Sequence, residues 1–311
     1  MKSASRHSRA NNSISGKPNI KMKIDIGSVK TIGSGLVRPE GVIALDDGRI
    51  YTADGRGRCA RIEKDGRTGF WGNLGGVPNG ICIDKQGNCI VANIGNGQVQ
   101  SLAPDGNHVI LMTHAQGKKM SSPNFPFIDS RERLWVSNST SMPDIDSALQ
   151  TPVDDGSLVV IIKGEAKIVA EGICFANGVS IDEKEEFVYV AETMKKRILR
   201  FRIKSDSTVG EKEIYGPDSL SPLGFPDGIA FDEAGNLWVA LPAQNAVGFI
   251  TPTRKFEIYL EDPEQKILKR PANICFGGEK RKTAFIGSLD GTNVSYFAVP
   301  YPGAKLIHQK N

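Results

Sequence analysis

The chain has 311 residues, 39% hydrophobic and 24% charged, the proportions of an ordinary globular protein. No apolar run approaches the ~18 residues of a transmembrane helix, so no membrane partner is expected. The formal charge of +4 sits at one end: residues 1–30 hold seven Lys or Arg and one Asp, and the remainder holds 32 basic against 34 acidic residues. A fold that is not itself basic argues against a nucleic-acid partner.

In chain order, the first segment is "MKSASRHSRANNSISGKPN", residues 1–19, which is polar and basic and lacks the apolar stretch of a secretory signal. It is expected to be a flexible tail, with an organelle transit peptide as the alternative for an acid-free, Ser-rich start. Residues 20–311 are expected to form one domain. Five cysteines (Cys59, Cys82, Cys89, Cys174 and Cys275) form no CxxC pair. An odd number of thiols without a signal sequence points to a reducing compartment, the cytoplasm, with the thiols free and buried.

Six related stretches follow: "PEGVIALDDGRIYTAD" from 39, "PNGICIDKQGNCIVAN" from 78, "PNFPFIDSRERLWVSN" from 123, "ANGVSIDEKEEFVYVAE" from 176, "PDGIAFDEAGNLWVAL" from 226 and "PANICFGGEKRKTAFIGS" from 271. Each places a polar residue after or near Pro or Ala, then a short apolar run, a polar turn and a second apolar run. That is the pattern of a hairpin. Pieces such as "ARIEKDGRTGFWG" and "GQVQSLAPDGNHVILM" add a second pair of strands with an Asp-Gly turn. The opening polar residues, Glu40, Asn79, Asn124, Asn177, Asp227 and Asn273, are 39, 45, 53, 50 and 46 residues apart. Such spacing is one four-stranded unit each, and six units predict an all-β, six-bladed β-propeller around a central channel. No helix is predicted. The segment "IKMKIDIGSVKTIGSG" is expected to return as the missing strand of the last blade.

If the first run of each hairpin lines the channel, the six opening residues meet at one mouth. They are two carboxylates and four carboxamides. A hard cation takes six to eight oxygen ligands from such groups at ~2.3–2.6 Å, whereas a soft metal would want the Cys or His that the ring lacks. Calcium is the expected cation, with Mg²⁺, Mn²⁺ or Zn²⁺ as alternatives. The competing explanation is turn chemistry, since Asn, Asp and Gly at strand entries bond their own backbone. The second runs end at Asp54, Asn93, Asn138, Glu192, Leu241 and Ser288, a candidate wider ring of substrate-contacting or supporting groups. Phe125, Phe127 and Phe175 beside the ring would suit an apolar substrate.

From Gly35 to Leu289 the pattern of "PEG", "FANGVSIDEKEEFVYVAET" and "GFPDGIAFDEAGNLWVAL" resembles the senescence-marker-protein, gluconolactonase and luciferin-regenerating-enzyme family. The resemblance implies a six-bladed propeller with one divalent cation held by Glu40, Asn124, Asn177 and Asp227, with Asp227 also as the catalytic base. Ser122 stands where the family often has an arginine that helps bind sugar lactones, which weighs against gluconolactone as substrate. Candidate substrate contacts are Asn79, Ser122, Phe125, Asn138 and Asn273. "FANGVSIDEKEEFVYVAETMKKRILRFRI" also resembles strictosidine-synthase-like and paraoxonase-related propellers.

The expected activity is cation-dependent hydrolysis of a small lactone or related ester. A lyase or condensing enzyme of a biosynthetic pathway and a non-catalytic binding propeller are the alternatives. There is no GxSxG and no serine motif beside any of the four histidines, so a serine nucleophile is not supported.

Overall fold

The computed structural model describes residues 23–309, so the expected tail over residues 1–19 lies outside the described residues. Six four-stranded antiparallel sheets follow one another in chain order. Their innermost strands are Val42–Ala44, Pro78–Ile83, Pro123–Ile128, Ala176–Ile181, Ile229–Phe231 and Pro271–Gly277. We number the sheets as blades 1 to 6 by these strands. Within each blade the chain runs up and down from the channel outward. The sixth blade is completed from the other end of the chain. Lys30–Ile32 pairs antiparallel with Val294–Ala298, with Lys30 opposite Tyr296 and Ile32 opposite Val294. The predicted closure is therefore present.

Burial falls from the channel outward, which explains the sequence pattern. Inner strands such as Pro78–Ile83 and Ala176–Ile181 are buried at every position and are flanked on both faces, so their apolar runs are continuous. Outer strands such as Thr68–Trp71 and Val209–Tyr215 are mostly exposed or half-buried. The apolar clusters lie between blades: Trp135, Leu158, Val190 and Phe201 join blades 3 and 4, and Trp238, Phe249, Phe276 and Phe297 join blades 5 and 6. All five cysteines are buried and unpaired.

Two features depart from the sequence expectation. A six-residue helix, Ile145–Gln150, rises in the loop between the second and third strands of blade 3. Asp144 caps it by accepting from the backbone N–H groups of Asp146 and Ser147. So short a helix shows no apolar period, which is why none was expected. A two-residue hairpin, His114–Ala115 with Lys118–Lys119, also precedes blade 3. No described helix is long and apolar enough to cross a membrane.

The inner hairpins of blades 3 and 5 are fixed by the same device. Asp232, buried at the turn, accepts backbone N–H groups of Ala234 and Asn236 on one oxygen. Its other oxygen accepts Asn236 Nδ2 and Trp238 Nε1 at 2.8 and 2.9 Å. Asp129 does the same for Arg131, Arg133 and Trp135. Removing such an acceptor strands several buried donors, at ~1–3 kcal/mol for each unsatisfied group. Asp232→Ala is expected to lower stability by about 2–4 kcal/mol in denaturant unfolding, while Ser219→Ala, at an exposed site, leaves the midpoint nearly unchanged.

Candidate metal centre at the channel mouth

In four of the six blades the residue near the start of the inner strand lies at a break in the ladder, whereas Glu40 and Asp227 precede their strands. Pairing of the first two strands shifts register between Pro78 and Ile81, Pro123 and Pro126, Ala176 and Val179, and Pro271 and Asn273. A bulge of this kind re-aims a side chain out of the regular alternation. All six ring residues are buried, with relative exposures of 0–5%.

The glycine after the ring residue has a steric role. A Cβ on Gly41 would sit 2.3 Å from the Asn79 carbonyl, and one on Gly178 would sit 2.3 Å from the Asp227 carbonyl. Gly80 and Gly228 face equally tight neighbours in Asn124 and Asn273. These contacts cross from blade to blade, and Gly41 N and Gly178 N donate to the same carbonyls at 3.0 and 3.2 Å. None of these four glycines has a positive φ. The Glu-Gly, Asn-Gly and Asp-Gly pairs therefore mark points where neighbouring inner strands touch, and the glycine does not serve a left-handed turn.

The wider ring takes the supporting role, one of the two expected of it. Asp54, Asn93, Asn138 and Glu192 accept the backbone N–H groups of Val37, Val77, Ser122 and Cys174, two or three residues ahead of each blade's ring position. The Ser288 hydroxyl bonds the carbonyl of Lys269. Leu241 contributes no polar group. These side chains clamp the loop that delivers the ring residue. For Asn138 the clamp uses both ends, Oδ1 on Ser122 N and Nδ2 on Thr140 O, so it supports the loop where substrate contact was expected. Ser122 is buried, and its backbone is tied to Asn138 and Ser139.

Inside the ring, Asn79 connects neighbours. Its Nδ2 donates to Glu40 Oε1 at 2.6 Å and Asn124 Oδ1 at 3.0 Å, and its Oδ1 accepts Arg38 Nη1 at 2.8 Å. Asn273 is turned to backbone, accepting from Ile274 N and lying 3.4 Å from Val42 O. Three buried oxygens have no hydrogen-bond partner: Glu40 Oε2, Asn177 Oδ1 and Asp227 Oδ1. Only five side-chain polar atoms among the described residues are in that state, so the concentration in one ring is informative. Arg38 Nη2 lies 2.6 Å from Glu40 Oε2 as an ion pair, without the alignment of a hydrogen bond. Burial first, and the Glu40 charge second, push the Asp227 carboxyl well above the usual carboxylate range, against the pull of Arg38, Asn177 and Arg270.

This donor set fits a hard cation. Asn177 Oδ1 and Asp227 Oδ1 face no proton donor, Glu40 Oε2 faces only the Arg38 guanidinium, and no Cys or His competes. Asn124 is the least available of the four expected ligands, because its Oδ1 already accepts Asn79. Arg38 and Asn79 were not expected as the hub of the ring. The arginine two residues before Glu40 was the sequence signal for the first of them.

Below the ring the channel opens into a cavity of about 470 Å³. Its walls are apolar next to the ring, with Ile43, Ile81, Phe125, Val179, Ile229 and Ile274, and become polar farther down, with Asp129, Asp182, Glu183, Glu233, Lys305 and His308. The far end is crossed by residues 304–308. Ala304 N donates to Phe231 O of blade 5, and His308 Nε2 lies 3.3 Å from Ala44 O of blade 1. Phe125 and Phe127 are thus channel wall, while Phe175 is buried at the entry to blade 4 with φ of 64°.

Residues 111–290, more than half of the chain, match the family model described as the SMP-30/Gluconolactonase/LRE-like region. The chain belongs to this family. Among curated proteins it is similar to the adipocyte plasma membrane-associated protein of Gallus gallus, 27% identical over 67% of this chain and 54% of that one. It is also similar to protein strictosidine synthase-like 7 of Arabidopsis thaliana, 24% identical over 68% of this chain and 58% of that one. The chain thus spans a little over half the length of these relatives. Among solved structures, a putative gluconolactonase superposes with a TM-score of 0.75 at 19% identity, covering 91% of this chain and 96% of that one. A calcium-binding regucalcin from Agrobacterium tumefaciens gives 0.72 at 14% identity, covering 89% and 95%. At these identities the superpositions establish the propeller fold.

The close approach at the ring yields a test. Gly178→Ala must force apart two inner strands whose separation is set by backbone, and overpacking of this kind costs ~1–3 kcal/mol. The midpoint of thermal unfolding is expected to fall by several degrees. Gly164→Ala, where a Cβ meets nothing but φ is 83°, should cost only the backbone strain.

Proposed function

We propose that the protein is a cation-dependent hydrolase of a lactone or related ester, with the cation held at the channel mouth by Glu40, Asn177 and Asp227 and with Asn124 as a fourth, shared ligand. The observation that carries this reading is the convergence of three buried, unpartnered oxygens from blades 1, 4 and 5. Two of them belong to carboxylates, and leaving both ionised without a cation would be costly. The lactonase and calcium-binding names among the family and its structural neighbours support the reading.

A hard cation supplies Lewis acidity to a carbonyl oxygen and neutralises charge that develops on it. The chain's own residues do the rest. Asn79 fixes Glu40 and Asn124 in position by donating to both. The clamps at Asp54, Asn93, Asn138 and Glu192 hold the loops that carry the ring, so the ligands are pre-organised before substrate arrives. Asp227 is the group that accepts a proton from the attacking water. In the metal-free ring, burial and the nearby Glu40 charge raise the proton affinity of this carboxylate, and a bound cation would draw it down again, so Asp227 serves as base when its hold on the cation loosens.

The similarity to a strictosidine synthase-like protein keeps a condensing reaction as the second reading, since the same mouth can bind a carbonyl compound when an amine replaces water. Both are tested on one panel of γ- and δ-lactones and aryl esters, followed by proton release, with Ca²⁺, Mg²⁺, Mn²⁺ or chelator. Turnover is expected to fall by about 10²–10⁴-fold on chelation and in Asp227→Asn. Folded, cation-loaded protein that turns over none of the panel would remove the hydrolase reading, and product analysis with added amines would then decide the second.

A further inference from the structure

The ring holds a cation of its own. Arg38 lies two residues before Glu40, and its guanidinium contacts both Glu40 and Asn79: Nη2 is 2.6 Å from Glu40 Oε2, and Nη1 donates to Asn79 Oδ1 at 2.8 Å. The Glu40 atom it approaches is one of the three unpartnered oxygens. Reaching that position requires an unusual backbone. Arg38 has φ of 49°, a left-handed conformation for a residue that also precedes a proline, where extended backbone is the rule. The conformation is held from several sides. Val37 N donates to Asp54 Oδ2, Gly55 N donates to Val37 O, and Glu40 N donates to Arg38 O. A Cβ on Gly55 would come within 3.1 Å of Arg38 Cβ, so a glycine there leaves the room. The backbone is therefore fixed, while the Arg38 side chain stays 29% exposed and free to swing outward.

We infer that Arg38 is an internal counter-cation that occupies the Glu40 side of the ring when no metal is bound, so that a divalent cation must displace it. The inference rests on the cation site proposed above and concerns how that site is filled. A guanidinium at ion-pair distance from Glu40 Oε2 repels a dication ligated by the same oxygen, so the two positive charges compete for it. In the metal-free protein the guanidinium stabilises a buried carboxylate that would otherwise stand alone. In the loaded protein it must leave, and the lost pair weakens the net affinity for the cation. Arg38 is thus a positioning residue that sets the cation affinity of the ring.

The test is calorimetric titration of chelator-stripped protein with CaCl₂, MgCl₂ and MnCl₂, comparing wild type, Arg38→Met and Arg38→Lys. Methionine keeps an apolar stem and removes the competing charge. The ion pair to Glu40 together with the charge-assisted hydrogen bond to Asn79 corresponds to about a tenfold change in an equilibrium constant. Arg38→Met is expected to bind its cation about tenfold more tightly, with Arg38→Lys in between because an ammonium cannot bridge Glu40 and Asn79 as a fork does. The metal-free melting temperature of Arg38→Met should fall below wild type while the loaded values coincide. Millimolar methylguanidinium should return the Arg38→Met affinity toward wild type, an effect that a merely structural role would not produce. Equal or weaker binding in both variants, with wild type binding normally, would overturn the counter-cation role and leave the cation site standing. Binding of no cation by wild type or either variant would overturn the site itself and the inference with it.

Discussion

Two carboxylates, Glu40 and Asp227, are buried in one ring of side chains at the mouth of a channel, and most of what surrounds them follows from that. A buried charge must be paired, solvated or neutralised. Glu40 is supplied with Asn79 Nδ2 and the Arg38 guanidinium, whereas Asp227 is left with an unpartnered oxygen and a raised proton affinity. The asymmetry is chemical as well as structural. A carboxylate whose charge is already paired suits ligation and positioning, and one whose proton affinity is raised suits proton transfer.

That arrangement persists only if the ring cannot relax. Six inner strands converge until their backbones touch, and glycine is the residue that permits the contact at Gly41, Gly80, Gly178 and Gly228. Behind them, polar residues at the ends of the second strands tie down the entry loops through backbone N–H groups. In blades 2 and 4 all three devices meet: the bulge aims the ring side chain, the glycine fixes how near the next blade lies, and the clamp fixes the loop. The other blades use one or two of them.

Much of the fold was legible in the sequence because a propeller repeats one supersecondary unit, and six copies let weak signals add. Glu40, Asn79, Asn124, Asn177, Asp227 and Asn273 were recoverable from their phase alone, and the closing strand at Lys30–Ile32 from the count of strands in the last blade. What did not repeat stayed hidden. The Ile145–Gln150 helix is a single insertion in one blade, and the 304–308 segment reaches the channel floor by long-range contacts that no local pattern encodes. The roles within the ring were also hidden. Whether Asn138 faces a substrate or a backbone N–H depends on one side-chain torsion, and the Pro-Asn-Gly grammar looked like turn chemistry because the glycine's real neighbour, the next blade's carbonyl, lies about 50 residues away in sequence.

The propeller itself places few limits on chemistry, since one scaffold hosts many reactions. The limits come from what the ring can do to a substrate. Its buried unpartnered atoms are oxygens without protons, and Asn79 Nδ2 is already committed to Glu40 and Asn124. The strongest stabiliser of negative charge at this mouth is a cation, either one held by the ring as proposed or the guanidinium of Arg38. These two sources are not independent, because both need Glu40 Oε2. In the proposed site, the atom that would ligate the metal also holds the chain's own positive charge, and the identity of the residue two places before the glutamate becomes part of the site's chemistry.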